Sequence, residues 1–295
     1  MTSSSVSLKA WSLGLLGVFA FALSVPMTRL AGGSVEAPAL PPMFVAVGRA
    51  VIAGVLAAVY LLLARAPWPS RVQWRWLLPM AAGVVFGWPV LLGYAVRQVD
   101  AAHASVLSGM LPLATAAMAA WVLRQRAPLG FWLWSAVGLG LVLTFAALQG
   151  GGRWVWADGL LLLAVLAAAI GYVMGARLSG QMPAEHVISW AVVVCLPLTI
   201  PLTLLHMPTQ SVPWSAWGGM AYVGVVSMWL GFFAWYKALA LGGALRVSQV
   251  QVVQPFLSGL LAVPLLGEAL SPLTVVFLLA VVATVWLGQR ARTLA

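Results

Sequence analysis

Ten stretches of this chain are long and apolar enough to cross a lipid bilayer. They fall at about residues 11–30, 43–64, 76–96, 101–123, 130–148, 157–177, 186–206, 215–239, 244–266 and 271–288. A hydrocarbon core of about 30 Å asks for a helix of about 20 apolar residues. The connections between the stretches are too short to hold a soluble domain. Inside lipid the backbone must satisfy its own hydrogen bonds, so the stretches are read as helices even where β-branched runs such as Val192-Val193-Val194 occur. Charged residues make up only 7% of the chain, against roughly 25% in a soluble domain. The expected fold is an all-α integral membrane protein, with the bilayer as its first partner.

A net charge of +10 would ordinarily raise nucleic acid as a partner, but the basic residues sit at helix ends rather than on one face. With the N-terminus placed in the cytoplasm, the inner segments hold Lys9, Arg65, Arg71, Arg75, Arg124, Arg126, Arg177, Lys237, Arg246, Arg290 and Arg292. The outer segments hold Arg29, Arg97 and Arg153, and Arg49 lies within a span. This is the positive-inside bias of an inserted chain, so no nucleic-acid partner is expected. It places both termini on the cytoplasmic side of a bacterial inner (plasma) membrane, as an even number of spans requires. The bacterial source is suggested by Arg-over-Lys, Ala-rich usage. Residues Lys9 to Ala22 could mimic a signal peptide, but a matching segment opens the second half, so they are kept as a span. Cys195 is the single cysteine, which leaves no disulfide framework within the chain and no metal-ligand spacing.

The chain also repeats itself. The stretch Ala95–Pro112 aligns without a gap on Ala238–Pro255, pairing Ala101 with Ala244, Ser105 with Ser248, Pro112 with Pro255 and, further on, Gln125 with Glu268. More weakly, Ser24–Leu30 resembles Tyr172–Leu178. Five spans per half is an odd number, so the second half enters the membrane upside down, the inverted repeat of many transporters. The expected organisation is residues 1–150 and 151–295 as two five-helix repeats of one membrane domain around a central cavity, joined at Gly150-Gly151-Gly152-Arg153.

Several motifs resemble the EamA branch of the drug/metabolite transporter superfamily. They are Arg49 within Val47–Ala53, Asp158-Gly159 opening the sixth span, Tyr236-Lys237-Ala238-Leu239, Ser248 to Pro255, and Leu265-Leu266-Gly267-Glu268. In the first half, Arg124-Gln125 stands where that family often has Gly-Glu. The resemblance covers nearly the whole chain. It implies ten helices around a cavity and transport of a small solute, commonly export of amino acids or related metabolites.

Polar residues inside spans are costly and each needs a reason. Ser105, Ser108 and Pro112 share one face of the fourth span, and Ser248, Gln251 and Pro255 hold the matching positions of the ninth, with Gln254 extending that face. Two readings stand: a shared wet cavity, or helix–helix hydrogen bonds worth about 0.6 kcal/mol on average in a membrane. Arg49, the basic residue well inside a span, either grips a substrate carboxylate with its planar fork or is structural. His103 is a possible proton carrier or a helix-end cap. The acids Glu36, Asp100, Asp158, Glu185 and Glu268 fall in loops or at span edges, which disfavours proton exchange on a mid-membrane carboxylate. Among 16 tryptophans, Trp88, Trp190, Trp229 and Trp235 lie deep, with Tyr94 and Tyr172. These rings either line the cavity and stack on a solute or pack against helices and lipid. Gly83/Gly87 and Gly171/Gly175 have the small-xxx-small spacing that lets helices approach closely.

No nucleotide-binding loop, metal-binding histidine pair or nucleophile–base pair is visible, so neither an enzyme nor a cofactor is expected. The expected function is alternating-access transport, in the export direction, of small organic solutes such as amino acids. The third, fourth, eighth and ninth spans would line the cavity, with contributions from the first, second, sixth and seventh. Efflux of lipophilic or cationic drugs is the alternative within transport, and a membrane ligand sensor the alternative outside it. Monomer and homodimer both stay open.

Overall fold

The computed structural model describes residues 8–122, 129–149, 155–242 and 247–293, with side chains except at 248–249 and 289–293. These residues form helices and no strand. Eight helices are long and apolar enough to cross a membrane: Leu8–Gly32, Pro42–Leu63, Arg71–Ala95, Ala101–Val122, Leu129–Gln149, Trp156–Leu178, Ala184–Leu205 and Trp214–Gly242. Two shorter apolar helices follow at Val250–Leu266 and Pro272–Gly288, in the windows the sequence marks as ninth and tenth. The protein is therefore a multi-pass helical membrane protein. Residues 150–153, expected as the linker, Arg124-Gln125 and Arg246 lie outside the described residues.

Several spans are broken, and proline explains where. A proline has no N–H, and its ring clashes with the carbonyl four residues back. Helix α1 (Leu8–Ala22) stops four residues before Pro26, and α2 (Ser24–Gly32) resumes the first span. The second span is the unbroken α3 (Pro42–Leu63). The third begins as α4 (Arg71–Ala81), loosens into a π-helical segment at Ala82–Gly87 around the carbonyl opposed by Pro89, and continues as α5 (Trp88–Ala95). In the fourth span α6 (Ala101–Ser108) ends four residues before Pro112, and α7 (Leu111–Val122) takes over. Helices α8 (Leu129–Gln149), α9 (Trp156–Leu178) and α10 (Ala184–Leu205) follow. The eighth span is α11 (Trp214–Tyr222), a second π segment at Val223–Leu230, and α12 (Gly231–Gly242). A 3-10 turn at Ser248–Val253 precedes α13 (Gln254–Leu266), which carries Pro255 in its first turn, and α14 (Pro272–Thr293) closes the chain.

Freed carbonyls inside a membrane need new donors. The Ser258 hydroxyl on α13 donates to the Ala22 carbonyl at 2.6 Å, the group that Pro26 leaves open. Tyr222 Oη on α11 donates to the Ala20 carbonyl at 3.1 Å. The break in the first span is thus held by α11 and α13.

The spans pack in distinct pairs. Helix α1 lies on α12, α3 on α10, α4 and α5 on α9, α6 on α13 and α8 on α14. The third and sixth spans approach each other closely. A Cβ placed on Gly83 would stand 2.3 Å from the Ala167 carbonyl oxygen, and one on Gly171 would stand 2.4 Å from Val84 Cγ1. Glycine is required at Gly83 because backbone meets backbone there, whereas at Gly171 the obstacle is the Val84 side chain. That contact sets Val84 and Tyr172 side by side at the centre of the bundle.

Candidate functional site

At that centre, polar groups collect around helix irregularities. Ser24 opens α2 just past the break, Trp88 follows the π segment of the third span, Ser227 lies within the π segment of the eighth, and Gln254 sits where the 3-10 turn becomes α13. Irregular backbone at membrane depth is tolerated where it lines a cavity, and transporter sites are built from such discontinuous helices. Arg49 on α3 and Tyr172 on α9 complete the set. Together with Phe21, Val84, Ala168, Met228 and Phe232, these residues line a cavity of about 20 Å³, room for roughly one water molecule. A solute must therefore part the helices to enter.

Arg49 dominates the chemistry. It is only 2% exposed and, after Trp235, the largest fully buried side chain among the described residues. Nη2 donates to Ser227 Oγ at 2.8 Å, and Ser227 Oγ is in turn bonded to Ser24 Oγ. Nε and Nη1 have no protein partner. No carboxylate lines the cavity. A buried cation with one neutral hydroxyl partner is expensive to maintain, since burying a charge costs heavily unless it is paired. Its unspent donors form a fork suited to a carboxylate. Around it stand aromatic rings: Phe21 and Phe232 centroids are 4.8 Å apart, Tyr172 and Phe232 6.0 Å, and Tyr172 and Trp235 5.9 Å.

Of the sequence-derived candidates, Arg49, Trp88, Tyr172 and Gln254 meet at this cavity. The others are placed elsewhere or differently. Ser105 and Ser108 are buried, but their hydroxyls donate to the Ala101 and Ala104 carbonyls of their own helix at 2.7 Å each. Gln251 is buried with neither side-chain atom partnered. The Ser248 side chain lies outside the described residues. Tyr94 borders an open recess with Arg97 and Trp156 at one end of the bundle. Trp190 packs on Trp68 with centroids 4.6 Å apart, and Trp229 donates from Nε1 to Ser189 Oγ at 2.9 Å. The repeat and the aromatic content pass over Ser24 and Ser227. Both were detectable as polar residues within spans, and the Ser24–Leu30 match to Tyr172–Leu178 already aligns Ser24 with Tyr172.

A second polar group gathers where α6 begins. His103 Nε2 lies 2.7 Å from Asp158 Oδ1, and both residues are buried. The other Asp158 oxygen accepts the Val155 backbone N–H at 3.3 Å. The reading of Asp158 as a span-edge acid is right in sequence position, yet its side chain is 0% exposed. Glu268 reaches across from the turn after α13 and accepts the Ala101 and Ala102 N–H groups at 2.9 and 3.0 Å. These two donors are free at a helix start, and the positive end of the helix favours the carboxylate. Arg29 binds the Val96 carbonyl nearby and approaches Asp100 at 3.7 Å.

Burial raises the Glu268 carboxyl above its usual 4.5, against the two backbone N–H groups that lower it. The folded state therefore holds this proton more tightly than the unfolded chain. The resulting stability is full below pH 4.5 and is lost as pH rises through the raised value. Thermal unfolding in detergent, stepped upward from about pH 4, should show that decline. Glu268→Gln, which cannot titrate, should flatten it. An unchanged pH profile in this variant would contradict the assignment.

The known proteins most informative for this chain are consistent with such a bundle. The EamA-like transporter family model matches it twice, over residues 8–148 and 155–288. The chain belongs to the EamA-like transporter family. A relative from Bacillus subtilis (strain 168), the uncharacterized transporter YdeK, is 40% identical over 285 residues, covering 95% of this chain and 96% of that protein. The uncharacterized transporter sll0355 of Synechocystis sp. is 23% identical over 262 residues, covering 79% and 76%. A crystal structure of 20% identity superposes with a TM-score of 0.68 over 98% of this chain and 99% of that one, a likeness of fold. An EamA protein is a transporter and not an enzyme. Among the described residues, no group of three His, Cys, Asp or Glu could hold a metal.

Proposed function

We propose that this EamA protein is an alternating-access exporter of small organic solutes, amino acids or related metabolites, and that the Arg49 cavity is its substrate site. The observation that carries the proposal is the buried Arg49 guanidinium, with Nε and Nη1 unpartnered beside a cluster of aromatic rings. An enclosed, mostly apolar site with a few convergent polar groups suits a small ligand. Ten spans arranged as two inverted halves supply the moving parts. The packing pairs support that arrangement: first on eighth and third on sixth exchange when the halves are swapped, while second on seventh, fourth on ninth and fifth on tenth map onto themselves. Both termini face the cytoplasm of a bacterial inner membrane, following the distribution of Lys and Arg.

The test is uptake of a labelled panel of amino acids and related carboxylates into proteoliposomes of the purified protein. Saturable flux that competes with unlabelled solute is expected. Absence of flux and binding across the panel, with well-folded protein, would remove the reading and bring drug efflux or ligand sensing forward.

A further inference from the structure

We infer that the preferred solute of the Arg49 cavity is a net anion, an organic carboxylate lacking a free ammonium group, rather than a zwitterionic amino acid. This inference rests on the transport reading above and narrows its substrate class.

The argument is a charge balance. Arg49 brings one positive charge to the cavity, and its one hydrogen-bond partner, Ser227, is neutral. Its unpartnered Nε and Nη1 carry three of the five guanidinium hydrogens. With the second hydrogen of Nη2, either Nε or Nη1 makes a two-donor edge that a planar carboxylate fits, and the carboxylate neutralises the site. An ammonium has no such counterpart. None of the five acids of the sequence lines the cavity. Asp158 shares helix α9 with Tyr172 but lies 172 − 158 = 14 positions away, roughly 21 Å at the helical rise, and is already paired with His103.

A zwitterion bound through its carboxylate would leave its ammonium within a few ångströms of the guanidinium, with only neutral acceptors and ring faces to receive it. The loaded site would keep a charge of +1 in a nearly dry interior, whereas a simple carboxylate brings it to zero. Uncompensated buried charge is the costlier state. Gln254 Oε1 is likewise unpartnered and buried. It calls for a neutral donor, such as a hydroxyl or an acylated N–H on the solute. The class is therefore hydroxy-, N-acyl- or unsubstituted carboxylates with an apolar or aromatic body for the rings of Phe21, Tyr172 and Phe232.

A solute of net charge −1 moves that charge across the membrane at each turnover. In transport without a coupling ion its flux responds to the membrane potential, with about 60 mV equivalent to a tenfold equilibrium ratio. An inside-negative potential drives such a solute outward, so the charge class and the export direction support each other.

The experiment uses the full-length protein in proteoliposomes and three probes sharing one ring: 3-phenylpropanoate, L-phenylalanine and phenethylamine. An aliphatic pair, 4-methylpentanoate and L-leucine, checks that ring fit is not deciding. Binding is read by tryptophan fluorescence, and flux under potassium diffusion potentials of either sign. The carboxylates should bind at least tenfold more tightly than the amino acids, and their uptake should accelerate when the vesicle interior is positive. Arg49→Gln should abolish their binding, and Arg49→Lys should retain part of it. Equal or tighter binding of the amino acids, or preference for phenethylamine, would overturn the inference and leave the transport reading standing. No binding or flux of any probe by well-folded protein would overturn both.

Discussion

Asp158→Ala is expected to destabilise the folded protein by about 3 kcal/mol, the upper end of the cost of leaving a buried hydrogen-bonding group without its partner. The carboxylate is 0% exposed and bonded to His103 at 2.7 Å. The imidazole is itself buried, and its ring packs on Phe145 with centroids 5.0 Å apart. Alanine leaves that ring without its partner and opens a space where the carboxyl stood. It also frees the Val155 N–H at the start of α9. The pair joins the start of the fourth span to the start of the sixth, so the loss should loosen that end of the bundle first.

The companion variants separate charge from packing. His103→Ala should cost as much, because it strands a carboxylate. The double variant His103→Leu/Asp158→Leu should cost far less than the sum of the single alanine variants, since an apolar replacement of a buried pair is often close to neutral. Unfolding of the purified protein in mixed micelles provides the measurement. A single-variant loss below about 1 kcal/mol would place the pair with the weak, exposed ion pairs and remove it as a structural tie.

Eight of the ten apolar windows were legible as spans because hydrocarbon thickness imposes a length on every crossing helix, and the other two hold shorter apolar helices among the described residues. The breaks before Pro26 and Pro112 follow from the missing proline N–H, a purely local cause. The site was only partly legible. Arg49 announces itself as a cation inside a span, and Tyr172 and Trp88 as deep aromatics. Which of several deep rings share one cavity depends on helix rotation, however, and periodicity over an almost uniformly apolar span leaves rotation undefined. Trp190 and Trp229 thus looked equivalent to Trp88 yet pack elsewhere. The face shared by Ser105 and Ser108 is real, but a hydroxyl can turn back to the carbonyl four residues earlier, and both do. The pairing of His103 with Asp158 joins residues 55 positions apart on different spans, a relation that only tertiary packing creates. Glu268 was legible as a family motif. The backbone donors it receives are on another span and carry no side-chain signature.

Arg49→Leu is expected to abolish transport without lowering stability. In most buried positions, loss of an arginine strands a partner charge. Here the protein partner is the Ser227 hydroxyl, which keeps its bond to Ser24 when the guanidinium is gone. The substitution removes a desolvated cation that the folded state holds without a counter-ion. Unfolding in micelles should show a change between zero and a gain of up to about 4 kcal/mol, the range found when buried ionic groups are replaced by well-packed apolar ones. Transport should collapse, because truncating a buried charged anchor of a complex typically costs about 2–5 kcal/mol, a loss of roughly 30-fold or more in affinity. A residue kept at the expense of stability is held for what it binds. If Arg49→Leu lowered stability while leaving flux intact, the arginine would be a structural strut, and the cavity would lose its claim to the solute.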